Sequence, residues 1–281
     1  MNKLEALKKI VAEAKVGELT FPTNVHATLK IQEALNDPEC GIETAATLVM
    51  QDPLVATRVI GIANSIAYSR FGGGITNVRT AIRILGFNTL RSVVIAVAIK
   101  QLHQAVKNTQ IKERMEQLWQ HCAHVAAMAH LLARHVSNID PETALFAGVV
   151  HEVGGFYLLS RAEELPSLLD YTPCETADAL DGDYDICLCR AVLRQLLVPK
   201  RVVSAIESLR YGTPTLPPES LDDTLFLANE LADVVSPLDH REESAIEQAA
   251  ELDFTVKDST LRHILDESTD DLHSLIASLT H

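Results

Sequence analysis

The sequence has few of the features that would place it in several large protein classes. Its five cysteines (Cys40, Cys122, Cys174, Cys187 and Cys189) are odd in number and include no C-x-x-C pair. That argues against a disulfide framework or a structural zinc site and leaves reduced, mostly buried thiols. The longest uninterrupted apolar run, Val93 to Ile99, is far below the roughly 18 residues of a membrane span. No transmembrane helix is therefore expected. Residues 1 to 20 open on Lys3, Glu5, Lys8 and Lys9 and lack the apolar centre of a signal peptide, so the expected location is the cytoplasm. Alternating apolar and polar runs bounded by hairpin turns are also missing, and no segment has a strong claim to be a strand.

Acidic residues are missing from one long stretch. Between Pro53 and Lys112 there is none, while Arg58, Arg70, Arg79, Arg83, Arg91, Lys100, Lys107 and Lys112 all fall there. Residues 1 to 110 carry 12 Lys/Arg against 8 Asp/Glu, and residues 111 to 281 carry 12 against 30, within a net charge of -14. The basic stretch predicts a positive surface for an anionic small molecule, an acidic partner, or the acidic half of the same molecule. Arg58, Arg79, Arg83 and Arg91 are its candidate contact residues. The overall negative charge disfavours direct nucleic-acid binding.

What is present is helical periodicity. Ile42, Ala45, Ala46 and Val49 share one helix face. Asp52 caps the next helix with Pro53 in its first turn, and Val55, Val59, Ile62 and Ile66 form its predicted buried stripe. A Gly72-Gly73-Gly74 connection follows, and Ile75-Thr76-Asn77 stands where a phosphate loop would need Gly-Lys-Ser/Thr. Val78, Ala81, Ile82 and Leu85 make another helix, which Gly86 ends in a left-handed conformation. Asn88 caps the one after it, which is apolar on every side from beyond Ser92 to Lys100. That belongs in a core and not in a DNA groove.

A long helix runs from about Arg114 to Val136 on a seam of Leu118, Cys122, Val125, Ala129, Leu132 and Val136. Asp140-Pro141 opens a further helix ending near His151. Connecting segments are expected at Tyr171 to Tyr184 and Tyr211 to Pro218. Leu272, Leu275, Ile276 and Leu279 give a last amphipathic helix packed on its own domain. With 47% hydrophobic residues the chain can bury a sizeable core. We expect an all-α fold in two parts, residues 1–110 and 111–281.

Of the four histidines on the long helix, the roughly 100° step per residue sends His121 to the apolar seam and His130 well away from it. His151 and Glu152 continue the inward face of the following helix, so the three can meet and offer metal-site chemistry. Spacing leaves a plainer alternative open: His121 satisfied by a backbone carbonyl and Glu152 capping or pairing at a helix end.

Longer motifs carry a resemblance. Leu118-Trp119-Gln120-His121 followed by Ala144-Leu145-Phe146-Ala147-Gly148-Val149-Val150-His151-Glu152-Val153-Gly154 resembles the signatures of the HD phosphohydrolase superfamily. Asn36-Asp37-Pro38, Gln51-Asp52-Pro53-Leu54, Ala63-Asn64-Ser65 and Thr80-Ala81-Ile82-Arg83-Ile84-Leu85-Gly86 resemble the HDOD family, the HD-related output domain. The match spans about residues 20 to 235.

The resemblance implies an all-helical bacterial signalling module in which an N-terminal helical bundle packs on a degenerate HD-like core. HD enzymes hold one or two divalent metals through a histidine, a His-Asp pair and a later aspartate, and they hydrolyse phosphate esters; HDOD proteins generally act as regulatory modules. Several positions depart from the enzyme pattern. Glu152 replaces the paired aspartate, Gly155 stands where a lysine is common, and Asn229 takes the place of the final aspartate, where a neutral amide is a poor ligand for a hard cation. Asp185 and Arg210-Tyr211-Gly212 replace further histidine positions.

The expectation is a non-catalytic regulator with no cofactor, acting on a protein partner of a signalling pathway or an anionic small molecule. Its input would come from a separate molecule, since both termini belong to the helical body. The alternative is a phosphohydrolase in which His121, His151 and Glu152 hold one iron, manganese or zinc ion.

Overall fold

A computed structural model of the chain describes residues 3–16, 19–66, 68, 74–169, 179–211, 214–238, 253–256 and 259–280. Gly72, Gly73, Cys174, Gly212 and the expected connection from Tyr171 as far as residue 178 lie outside them. The order is α1 Lys3–Lys15, α2 Thr23–Leu35, α3 Ile42–Met50, α4 Pro53–Ala63, α5 Val78–Ala105, α6 Thr109–His135, α7 Pro141–Val150 and α8 Val153–Arg161. A 3-10 turn (Pro166–Leu168), α9 Ala179–Gln195, α10 Lys200–Tyr211 and α11 Leu221–Glu230 follow. Strands β1 Thr255–Val256 and β2 Ser259–Thr260 then lead into α12 Leu261–Glu267 and α13 Thr269–Thr280. The fold is all-α. The one departure among the described residues is this antiparallel pair, with Thr255 opposite Thr260 and Val256 opposite Ser259, too short to leave an alternating pattern in the sequence.

Local chemistry starts and stops the helices as the side chains dictate. Asp52 caps α4 by accepting from the Leu54 and Val55 N–H groups, with Pro53 in the first turn, where its missing N–H costs nothing. The Asp52 carboxylate also accepts from the Thr28 hydroxyl of α2 at 2.9 Å, so the cap ties two helices together. At the other end, the Asn64 carbonyl oxygen accepts from Gly74 and Ile75 N–H at 2.8 and 2.9 Å, and its amide donates to Ile75 O. The helix stops there. Ile66, expected in the buried stripe, is 58% exposed because the helical period no longer applies beyond Ala63.

Gly86 adopts φ 73°, a left-handed value that favours glycine, and breaks α5 into two helical pieces that continue in one run. Asn77 and Asn108 cap α5 and α6; α6 thus begins before Arg114, with a polar first turn that apolar periodicity does not mark. α9 begins at Ala179, inside the stretch expected to be a connection.

α5 and α6 are the two central helices. α5 packs against α2, α3 and α4 on one side and α7 and α8 on the other, which is why Ser92 to Ile99 are buried all round. α6 is covered by α7, α8, α11 and α13. By length and composition Val78–Ala105 and Pro141–Arg161 could cross a membrane, but 67% and 83% of their most apolar windows are buried inside the protein. Their apolar surface is core.

α13 packs on α6 as expected and also on α4. Arg161 of α8 donates across the two halves to Glu13 of α1 at 3.0 Å and, within α8, to the Tyr157 hydroxyl at 3.1 Å.

Candidate functional site

The site exists because α6 and α7 approach backbone to backbone. Gly148 faces Ala126, and a Cβ added there would fall 2.4 Å from the Ala126 Cα. Only glycine allows this approach, which brings the end of α7 to the middle of α6. His151, the residue after α7, thereby meets His121. Their Nε2 atoms are 3.1 Å apart, and both rings are buried, with His121 0% and His151 7% exposed.

The other face of each ring is fixed by a carbonyl. His121 Nδ1 lies 2.7 Å from Val234 O, and His151 Nδ1 lies 2.7 Å from Gly148 O. A carbonyl oxygen only accepts, so both Nδ1 atoms carry the proton. Each Nε2 then aims a lone pair at the other, an arrangement that calls for a cation or a shared proton between them. Glu152 completes the group. It opens α8 without a side-chain cap bond, accepts from the Ser236 hydroxyl at 3.3 Å, and offers an oxygen so that the ligand atoms of all three residues lie within 4.8 Å of one another.

The carbonyl alternative for His121 and the metal-type cluster are thus both realised, on opposite nitrogens of one ring. The helix-capping role for Glu152 is not. Burial, and after it the Glu152 carboxylate, pushes the neighbouring Cys122 thiol well above its usual range, so it stays protonated.

The donor set fits a single divalent ion. With metal–nitrogen bonds of about 2.0–2.1 Å, two imidazoles on one ion stand about 2.9–3.4 Å apart, and 3.1 Å falls inside that interval. Two imidazoles and one carboxylate suit zinc, iron or manganese.

Residues 231–238 lie over the group: Val234 holds His121, Ser236 holds Glu152, and Leu238 packs where a Gly155 side chain would go, its Cδ1 only 2.3 Å from an added Cβ. A lysine at position 155 could not enter without displacing Leu238.

One histidine beyond the expected inward face is also buried. His130 is 7% exposed, not turned away to solvent, because α6 is covered on more than one face. Its Nε2 lies 3.4 Å from Glu142 Oε1, and its ring packs on Tyr68 at 5.8 Å. Glu142 Oε2 accepts from the Tyr68 hydroxyl at 2.8 Å and from Thr89, so one carboxylate gathers side chains from α5, α6 and the segment after α4. A second acidic residue, Glu142, directly after Asp140-Pro141 in the first turn of α7 was its only signal in the sequence.

The four candidate arginines have different surroundings. Arg58 donates to Ser278 O at 2.9 Å, and Arg91 to Leu35 O at 2.6 Å and Asn88 at 3.0 Å, both half-buried. Arg79 pairs with Glu43 at 2.7 Å on the surface, and Arg83 is exposed on the same helix face one turn on. Of these four arginines, Arg79 and Arg83 are the exposed ones.

Among solved structures, a candidate metal-dependent phosphohydrolase from Shewanella amazonensis SB2B is 26% identical, with a TM-score of 0.72 over 98% of each chain. An HDOD domain protein from Geobacter sulfurreducens is 21% identical, with a TM-score of 0.62 over 99% of this chain and 98% of the other. A candidate signal transduction protein from Marinobacter aquaeolei VT8 is 18% identical, with a TM-score of 0.56, over 93% of this chain and 59% of the other. No curated protein matches the chain. The last two share the fold. The HDOD domain profile matches residues 21–181, more than half of the sequence, and the chain therefore belongs to the HDOD domain family.

Proposed function

We propose that this protein is a signalling regulator that acts by binding and does not turn over a substrate. The observation that carries the reading is the seal over the histidine pair. Val234, Ser236 and Leu238 occupy its approach, and Gly155 and Asn229 stand where the resemblance to HD enzymes leads one to expect a lysine and the final aspartate. The Arg79 and Arg83 face offers an acidic protein partner two outward cations, one of them engaged only in an exposed ion pair of little net worth.

The test is hydrolysis of phosphate mono- and diesters by protein purified without chelator and supplied with iron, manganese or zinc. The reading expects no turnover that His121→Ala removes; turnover lost in that variant overturns it. In the cell, Arg79→Glu with Arg83→Glu should abolish partner capture at unchanged thermal stability.

The competing reading is a metal-dependent phosphohydrolase, favoured by the facing Nε2 atoms and by the name of the 26% identical relative. His121, His151 and Glu152 would hold the ion, which when bound supplies an acidified water and charge neutralisation. The chain's own part would be orientation: the Val234 and Gly148 carbonyls fix both imidazole tautomers, and Ser236 steers Glu152.

A further inference from the structure

A cleft of about 360 Å³ opens where α4, α5 and the C-terminal end of α13 meet, remote in sequence from the histidine pair. One face of α4 supplies Leu54, Arg58 and Gly61, at steps of four and three, and one face of α5 supplies Val97, Lys100 and Gln104, at steps of three and four. Ala277 and Ser278 of α13 close the third side. The volume lies at the low end of small-molecule sites, about 300–1,000 Å³.

The walls combine apolar surface with two cations. Arg58 is half-buried, and one of its N–H groups caps α13 at Ser278 O, which leaves the rest of the guanidinium fork uncommitted by that bond. Lys100 is the first charge after the wholly buried stretch of α5 and is half-buried itself. Neither forms an ion pair among the described residues. Burial, and after it the Arg58 charge, pulls the Lys100 ammonium below its usual range, against an opposing pull from Glu116. Two partly desolvated cations that repel each other across an apolar-walled cleft are relieved together by one anion.

The geometry points to a binding site for an amphipathic organic anion, a carboxylate or phosphate monoester on an apolar body, with Lys100 and Arg58 at the head group and Leu54, Gly61, Val97 and Ala277 along the body. The site is separate from the Arg79 and Arg83 face and stands whether or not the histidine pair takes a metal.

The test is calorimetric titration of the full chain with octanoate and with octyl phosphate, beside octanol and inorganic phosphate. Saturable one-to-one binding of either anion is expected, with octanol and inorganic phosphate at least about tenfold weaker; the stronger of the two anions identifies the head group. Lys100→Gln should weaken binding at least about tenfold. Arg58→Gln also loosens α13, so Gly61→Leu serves as the second variant. A Cβ at Gly61 meets nothing within 4 Å, and leucine is a better helix former than glycine, so the variant keeps its fold while filling the cleft. It should abolish binding without lowering the unfolding temperature, and Arg83→Gln should bind as the parent does. Failure of both anions to saturate, octanol binding as tightly as either, or binding intact in both Lys100→Gln and Gly61→Leu overturns the assignment.

Discussion

His121 and His151 face each other through Nε2 atoms 3.1 Å apart, while a backbone carbonyl 2.7 Å from each Nδ1 holds both rings in one tautomer. The pair can take a cation, and by the resemblance to HD enzymes Glu152 and Asn229 stand where aspartates are expected. Restoring them is a direct probe. Glu152→Asp combined with Asn229→Asp should raise affinity for manganese or zinc by at least about tenfold over the parent, the scale on which metal-site substitutions act. Metal titration followed by elemental analysis checks it; no gain would mean that these two positions do not limit metal binding.

Gly148 is the contact that makes the pair possible. Gly148→Ala places a methyl 2.4 Å from the Ala126 Cα, against backbone that cannot rotate away. Overpacking of this kind costs about 1–3 kcal/mol. Urea unfolding should show that loss, and Gly61→Ala, on an open helix face, should show none.

Asp52 has two tasks, capping α4 and receiving the Thr28 hydroxyl. Asp52→Ala should therefore cost about 1–2 kcal/mol, at the upper end for a lost cap. Thr28→Val should lose less than Asp52→Ala, and a double-mutant cycle measures the part they share.

Tyr68 gives a pH dependence with a definite sign. Burial, and after it the Glu142 carboxylate, raises its phenol above the usual range. A folded-state pKa above the unfolded one contributes stability in full below about pH 10, the ordinary tyrosine value. That contribution is lost as pH rises from there towards the folded value. Denaturation of the parent should steepen its decline above about pH 10 relative to Tyr68→Phe. Equal slopes in the two proteins would remove Tyr68 from the account.

Much of this was legible in the chain order. The Asp52-Pro53 and Asp140-Pro141 caps lie where their chemistry puts them, because a capping side chain acts on N–H groups two or three residues away. The burial of the stretch that follows Ser92 was equally plain, since no face of it is polar. His121, His151 and Glu152 could be named because two helical faces and a short turn bring them together. Ile66 and His130 were misread for one shared reason: periodicity describes a helix in isolation, and says neither where the helix stops nor how many neighbours cover it.

The sequence by itself determined an all-helical HDOD chain, its principal caps, and three inward residues with metal-type chemistry, because each of these depends on residues close together along the chain. Only the tertiary structure decided how those residues are used. The Val234 and Gly148 carbonyls that fix the tautomers, the Leu238 side chain over Gly155, and the meeting of Arg58 with Ser278 and of Glu142 with Tyr68 all join segments whose pairing no local pattern encodes. Packing in three dimensions selects such partners, since a buried polar group takes whichever donor or acceptor the fold brings within about 3 Å.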